Sequence, residues 1–279
     1  MDIVAKFFLD LTHLEYKEEP SSSHVLSVLL ILIFFGGLSA AFLKSLGAGQ
    51  LQEMLSDYKV NLKKIARTVV ELERKTFHMT GLFVPATYEL AMRYHFSKSD
   101  FVAVAWMCTL IAWSIDVLRL YLGRTAEKTF PFTLLYGFIR EKERRQLCGT
   151  SFFSLGCTVA ITLFPPAVAS VGIMWLVIGD MSAALIGVAF GGDVAAVKLG
   201  REGKKSVEGS VAMFLACMVV GMWAFSEVYM AEYAIVVGSL VATLVELYEP
   251  LGLNDNLTIP VSSCFALEWA LARIRSCQP

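Results

Sequence analysis

The sequence predicts an all-α integral membrane protein of about eight spanning helices, with an amphipathic helix ahead of the second span. Three observations carry that prediction. Of 279 residues, 56% are hydrophobic and only 18% charged, and the mean hydropathy is +0.60, more apolar material than a soluble domain uses for its core. The apolar residues gather in runs that approach the roughly 20 residues needed to cross a hydrocarbon layer. Lysine and arginine are segregated into alternate loops, as positive-inside insertion requires. A formal net charge of −1 leaves no basic excess with which to neutralise a phosphate backbone, so a nucleic-acid partner is not expected. The cysteines Cys108, Cys148, Cys157, Cys217, Cys264 and Cys277 stand alone, mostly within apolar runs. Neither a disulfide framework nor a cysteine-based metal site is indicated.

A single membrane domain is expected, divided into an amino-terminal part over 1–72 and a helical bundle over 73–279. Residues 1–23 are mixed and acidic, with Glu15, Glu18 and Glu19 where a secretory leader would be basic and then apolar, so they read as a short amphipathic arm. The first span is 25–43. Residues 44–75 then turn polar, but Leu51, Met54, Leu55, Leu62, Ile65, Val69 and Leu72 recur at near-helical spacing, which predicts the amphipathic helix, lying on the membrane or leading into it. Further spans follow over 77–94, 101–121, 150–164, 167–190, 207–225, 233–248 and 257–271.

Orientation follows from the loops. Residues 44–75 hold Lys44, Lys59, Lys63, Lys64, Arg67, Arg74 and Lys75; a second basic group lies in 119–145; Lys198, Arg201, Lys204 and Lys205 lie in 191–205. The intervening connections at Pro165-Pro166 and over 226–232 hold none. This places the amino terminus outside and the basic loops in the cytoplasm. The connection 249–256 falls on the same side yet is acidic, ending in Leu253-Asn254-Asp255-Asn256-Leu257-Thr258-Ile259-Pro260.

The chemistry-bearing residues converge on that face. Asp180 follows Gly179 within an apolar run, and a carboxylate inside a span is costly enough to be read as functional. Ala184, Gly187 and Gly191 share its helical face and equally fit a small-residue packing seam. Lys204 and Lys205 fit ordinary positive-inside anchoring as well as a phosphate site. Ser206 directly after them can cap the helix that follows, leaving amide donors and a dipole end beside the lysines. Arg74, Lys75 and His78 share one helical face, and His78 is a possible proton acceptor or phosphate ligand. Asp116 and Arg119 form an i,i+3 pair that suits a structural ion pair as well as a catalytic role. Glu246 is a second acid in an apolar run. Glu89, His95 and Glu141 read as solvated or interfacial groups.

Cations that can hold phosphates, beside carboxylates that can hold Mg²⁺, suggest phosphoryl or nucleotidyl transfer. The ordered elements are Glu73-Arg74-Lys75-Thr76-Phe77-His78; Asp116-Val117-Leu118-Arg119-Leu120; Gly149-Thr150-Ser151-Phe152-Phe153; the run from Gly179-Asp180 to Gly187; Lys205-Ser206-Val207-Glu208-Gly209-Ser210; and Glu246 with Asn254 to Pro260. Together, over roughly 73–263, this order resembles the CTP-dependent lipid kinases: yeast-type diacylglycerol kinase, phytol kinase and dolichol kinase.

The resemblance implies a polytopic enzyme that moves the γ-phosphate of CTP onto a lipid hydroxyl with a divalent cation, at the cytoplasmic side of the endoplasmic reticulum. It implies catalytic roles for Asp180, His78 and Lys205. It implies nucleotide or phosphate contacts from Arg74, Lys75, Lys204, Lys205, Ser206, Gly209 and Asn256, and metal contacts from Asp180, Asp255 and Glu246. Asp116, Arg119, Glu208, Thr258 and Pro260 are expected in support. Asn254 stands where the family commonly has an acid, and Val188-Ala189-Phe190 replaces a usual basic residue. Compact length and the 247–263 run resemble the diacylglycerol kinase branch most, with phytol or dolichol as alternative acceptors. A cytidylyltransferase making a CDP-lipid, and a transporter, are the competing readings.

Overall fold

In the computed structural model, residues 79–94, 96–128, 141–190, 198–200, 205–226, 228 and 230–276 are described. The expected first span 25–43, the amphipathic helix in 44–75, and Arg74, Lys75, His78, His95 and Lys204 lie outside them. The described chain is almost entirely helical, and five of its helices are long and apolar enough to cross a membrane. The chain is a helical integral membrane protein.

After a 3₁₀ turn at Thr80–Leu82, α1 is Phe83–Arg93. Helix α2 is Lys98–Leu122, opened by Ser97, whose hydroxyl accepts from the Asp100 amide, and closed by Gly123 at φ 55°. Both ends therefore follow ordinary capping chemistry. Helix α3 is Gly149–Leu163. Pro165 breaks the chain there, and Pro166 at the first position starts the next helix, where its missing N–H is no loss. That helix is one 25-residue span in three parts: α4, Pro166–Met174; a π-helical turn, Trp175–Gly179; and α5, Asp180–Phe190.

A two-residue antiparallel ribbon follows, β1 (Lys198–Leu199) with β2 (Lys205–Ser206). The sequence reading had no strand here; lysine, leucine and serine in two-residue segments carry no alternation to detect. Helix α6 is Val207–Ala224, α7 is Ala231–Tyr248 and α8 is Asp255–Ser276. Left-handed residues Met230 and Glu249 bracket α7. The expected span at 77–94 corresponds to a shorter described helix, the 11 residues of α1, and the one at 150–164 to the 15 residues of α3, one position earlier. The last helix is longer than expected at 22 residues.

The α4–α5 span is the centre of the bundle. Helices α1 and α8 pack on α4, α6 on α5, and α6, α7 and α8 all reach the π-helical turn; α3 joins α8 to α2. Trp175 fills the middle. It is fully buried, its indole N–H donates to the Cys217 carbonyl at 2.7 Å, and glycines of two helices face its ring. A Cβ at Gly238 would lie 2.6 Å from that ring, and one at Gly221 3.2 Å from it. Helix α2 is peripheral. Its Val104, Met107, Leu110, Ile111 and Ile115 are exposed, as lipid-facing side chains are.

Substitution of Gly238 by Val should therefore push Trp175 off its seat and cost about 1–3 kcal/mol of overpacking. Trp175→Phe removes the hydrogen bond to the Cys217 carbonyl, which keeps its partner within α6, and empties part of the indole's seat beside Gly221 and Gly238, at about 1–3 kcal/mol. Heat-induced unfolding in detergent should place both variants below wild type.

Candidate functional site

Antiparallel packing of α5 on α6 sets the depth of the site. The seam places Gly187 beside Ser206 and Gly209, Ala183 beside Gly209, and Gly179 beside Met213 and Cys217. A Cβ at Gly209 would come 2.7 Å from the Ala183 carbonyl. Close helix approach thus accounts for Gly187, by the packing alternative raised from sequence, and for Gly209, which was not among its residues. The same register puts Asp180 about one and a half turns below the start of α6, roughly 8–9 Å at 1.5 Å per residue. Asp180 is 7% exposed, on the first turn of α5 directly after the π-helical turn. Such turns widen a helix and recur where a side chain must be re-aimed.

At the head of α6, Ser206 is the N-cap, its hydroxyl accepting from the Gly209 amide at 3.1 Å, as its position before an apolar helix predicts. Glu208 lies in the first turn, where the helix dipole favours an acid. The residue before the cap, Lys205, turns its ammonium to α7. It pairs with Glu246 Oε1 and stands 3.6 Å from Glu249 Oε1. Glu246 is 3% exposed, so this lysine neutralises a carboxylate that the bilayer cannot solvate. Burial alone would lower the Lys205 pKa; the Glu246 carboxylate, assisted by Asp255 and Asp180, outweighs it and leaves the value above that of an ordinary lysine. Lys205 is therefore cationic throughout the physiological range. Four acids of three helices and their margins share one lysine.

Helix α8 supplies the far wall. Asn254 is its N-cap, with Oδ1 accepting from the Asn256 amide at 3.0 Å, while the Thr258 hydroxyl donates back to the Asn254 carbonyl. An amide performs this capping as well as an acid would. The Asn256 Nδ2 donates to the Gly149 carbonyl at 3.1 Å, and a Cβ on Gly149 would sit 2.9 Å from that nitrogen. Pro260 lacks the N–H that would close the helical bond to the Asn256 carbonyl. Gly156 of α3 lies against that carbonyl and 3.1 Å from Pro260 Cγ, measured from an ideal Cβ.

Asp116 and Arg119 form their own network beside this wall. Both are buried, at 4% and 1% exposure. Asp116 Oδ1 pairs with Arg119 at 2.6 Å. Its Oδ2 accepts from the Cys148 amide at 2.8 Å and from the Ser151 hydroxyl at 2.9 Å. Arg119 donates onward to the carbonyls of Glu143 and Gln146 at 3.2 and 2.8 Å. Of the two roles weighed from sequence, the ion pair tying helix ends together is what the geometry displays.

The structure thus pairs Lys205 with Glu246 and leaves Asp180 and Asp255 within electrostatic reach of that one cation, with Asn256 joined to α3. Among the described residues, no group of three or more His, Cys, Asp or Glu forms a ready metal site; Glu246, expected on a metal, is taken up by Lys205. Two acids escaped the sequence reading. Glu89, solvated or interfacial by sequence, is 7% exposed and accepts from the Ser170 hydroxyl at 2.7 Å; its place near the end of an apolar run carries no sign of a buried partner 81 residues away. Glu249 faces Lys205 because α7 ends there in a left-handed turn.

Loss of Lys205 leaves a buried carboxylate without its counter-ion. Lys205→Met should cost about 3–5 kcal/mol, and the double change Lys205→Met with Glu246→Leu should recover most of it. Because the folded lysine pKa is raised, the contribution of Lys205 is complete below the unfolded lysine value of about 10.4 and is lost as pH rises through the higher folded value. Detergent melting temperatures of the four proteins of this cycle, compared between pH 6 and pH 9, should show the same coupling at both.

Comparison with known proteins adds one relative and no function. The uncharacterized protein RP860 of Rickettsia prowazekii (strain Madrid E) is 29% identical over 202 residues, covering 70% of this chain and 92% of that protein. No family model matches the chain, and no solved structure does.

Proposed function

We propose that the chain is a CTP-dependent lipid kinase that transfers the γ-phosphate of CTP to a lipid hydroxyl, with diacylglycerol giving phosphatidate as the first choice of acceptor. The observation that carries the reading is Lys205 at one end of a membrane bundle, paired with Glu246 and within electrostatic reach of Asp255, beside Asn256 in the chain, and of Asp180 deeper in the span. Phosphoryl transfer asks mainly for positioning and charge neutralisation, and these residue types supply both. The preference for CTP rests on the ordered motifs and their family resemblance.

The donor set fits Mg²⁺: carboxylates and a carboxamide are hard oxygen ligands, with no cysteine among them. Glu246 is engaged by Lys205, so Asp180 and Asp255 are the carboxylates that would hold the ion. When bound, it would neutralise charge on the nucleotide phosphates. Lys205, held cationic by its acidic neighbours, would meet a phosphate oxygen. Lys204, Arg74 and Lys75 are further cations in this proposal. The lipid oxygen forms the new bond to the γ-phosphorus as the bond to the β,γ-bridging oxygen breaks and CDP leaves. The hydroxyl proton passes to Asp180 or to His78.

The eight-span topology, with the basic loops and the site facing the cytoplasm, belongs to the same proposal. Its placement in the endoplasmic reticulum follows the yeast-type enzymes. In the bacterium of the relative, the same arrangement would lie in a membrane bordering the cytoplasm.

The test offers diacylglycerol, dolichol or phytol singly in mixed micelles to purified protein with Mg²⁺ and γ-labelled CTP, and with γ-labelled ATP in parallel. Labelled phosphatidate from CTP alone is the expected result. Label in dolichyl or phytyl phosphate would reassign the acceptor. Pyrophosphate release with a CDP-lipid product would replace the kinase by a cytidylyltransferase, and solute flux without nucleotide consumption would replace it by a transporter. Asp180→Asn should lower turnover by about 10²–10⁴-fold in a folded protein; undiminished turnover would remove Asp180 from the chemistry.

A further inference from the structure

Buried polar atoms in an apolar bundle need partners, and at the far end of α8 two charged residues lack part of theirs. Glu268 and Arg275 lie about two turns apart on one face of that helix. Helical side chains lean toward the helix start, so the Arg275 guanidinium reaches back to the carboxylate. The pairing is only half made. Arg275 Nη1 donates to Glu268 Oε1 at 3.4 Å, while Arg275 Nε, Arg275 Nη2 and Glu268 Oε2 are sealed from solvent with no hydrogen-bond partner among the described residues. Arginine and carboxylate commonly join through two parallel bonds. Here one long bond is made, and the Nε–Nη2 edge of the guanidinium meets no acceptor.

Their place in the fold narrows what could complete them. Arg275 lies one residue from the end of α8, at the membrane boundary opposite the one at Asp255. Phe265, Trp269, Ala272 and Arg273 form an exposed stripe along the last turns of this helix, and the Arg273 guanidinium stands 5.6 Å over the Trp269 ring. An aromatic ring and a cation at a span's end mark the headgroup layer. Glu268 and Arg275 fall beside Ala272 at the margin of that stripe, roughly 40–60° away at 3.6 residues per turn. Both side chains reach the surface, at 26% and 19% exposure, so rotation of their ends opens the unpaired atoms to a passing lipid.

The unpaired atoms also define the head group. The Nε–Nη2 edge suits two oxygens of one phosphate. Glu268 Oε2, an acceptor only, asks for a donor. One acid and one cation balance, so a ligand without net charge fits them best. A phosphate carrying a primary ammonium meets all three demands. Choline has no N–H for Oε2, and a phosphoglycerol head group brings net negative charge.

We propose that Glu268 and Arg275 bind the head group of a phospholipid that carries a primary ammonium, with its phosphate on the Nε–Nη2 edge of Arg275 and its ammonium on Glu268 Oε2. The bound lipid lies in the leaflet opposite the Lys205 end, and the site does not depend on the reaction performed there.

Native mass spectrometry of the full-length protein, delipidated and then given one phospholipid at a time on matched acyl chains, counts the molecules retained. Phosphatidylethanolamine should be retained at a concentration about tenfold below that needed for phosphatidylcholine or phosphatidylglycerol, the weight of one charge-assisted contact. Glu268→Gln with Arg275→Gln removes both charges together and leaves neither stranded; it should bring the three lipids level in a protein that still melts cooperatively. Arg273→Gln, a cation of the same layer on the exposed stripe, should keep the preference. Equal retention of the three lipids by the wild-type protein, which needs no variant to fold, leaves the unpaired atoms to water and overturns the proposal. A preference that survives the double variant, or is lost as fully in Arg273→Gln, overturns it as well. Phosphatidylglycerol retained as tightly as phosphatidylethanolamine removes the ammonium from Glu268. Soluble phosphoethanolamine should not displace the lipid at matched concentration; displacement would draw the ligand from water and end the assignment to a lipid.

Discussion

The contact on which the site depends is the ion pair between Lys205 and Glu246. A carboxylate two residues from the end of α7 cannot be left alone in an apolar bundle, because the medium offers it neither water nor mobile ions. Lys205 answers it from the neighbouring ribbon. In doing so it ties the connection between α5 and α6 to α7, and its charge lies within reach of acids from α5 and α8. One buried charge thus draws four elements to a common point. A lysine is suited to this: its stem crosses apolar surface while its ammonium finds the polar group.

The bundle can bring those elements so close because small residues line the seams. Gly187 and Gly209 let α5 and α6 nearly touch, Gly156 admits the backbone of α8, and Gly221 and Gly238 make room for Trp175. In a bilayer, where apolar side chains gain little by leaving lipid for protein, such close packing and interhelical polar contacts are what holds helices together. The π-helical turn at Trp175–Gly179 belongs to the same design. It lies where the largest buried side chain meets glycines of two helices, immediately ahead of Asp180.

Much of this was legible in the sequence, and the limits have physical causes. Hydropathy gave the long helices because a span must be apolar along its length, and Ser206 gave the start of α6 because capping is local. Asp180 stood out for the same reason, as an acid where none is cheap. What sequence could not supply were contacts between distant elements. Nothing in Glu89 and its neighbours points to Ser170, and nothing in Glu249 announces the left-handed turn that aims it at Lys205. Asp116 and Arg119 were recognisable as a pair, but their grip on the turn at 143–146 is a property of the fold. Gly209 illustrates the opposite error of emphasis. A glycine beside a lysine and a serine invites a phosphate-binding reading, whereas its neighbours show a packing constraint as well.

Depth orders the site in a way that bears on the proposed reaction. Asp255 and Asn256 sit at the first turn of α8, and Lys205 precedes the first turn of α6, so all three lie at the end of the bundle. Asp180 lies roughly 8–9 Å further in, by the register of the α5–α6 seam. A nucleotide comes from water and a lipid alcohol from the bilayer, so a transferase between them needs phosphate-binding groups outward and a proton acceptor inward. That is the order in which these residues stand. An acid at the depth of Asp255 would meet the nucleotide alone, whereas one at the depth of Asp180 can face both the phosphate above and a hydroxyl entering from the side.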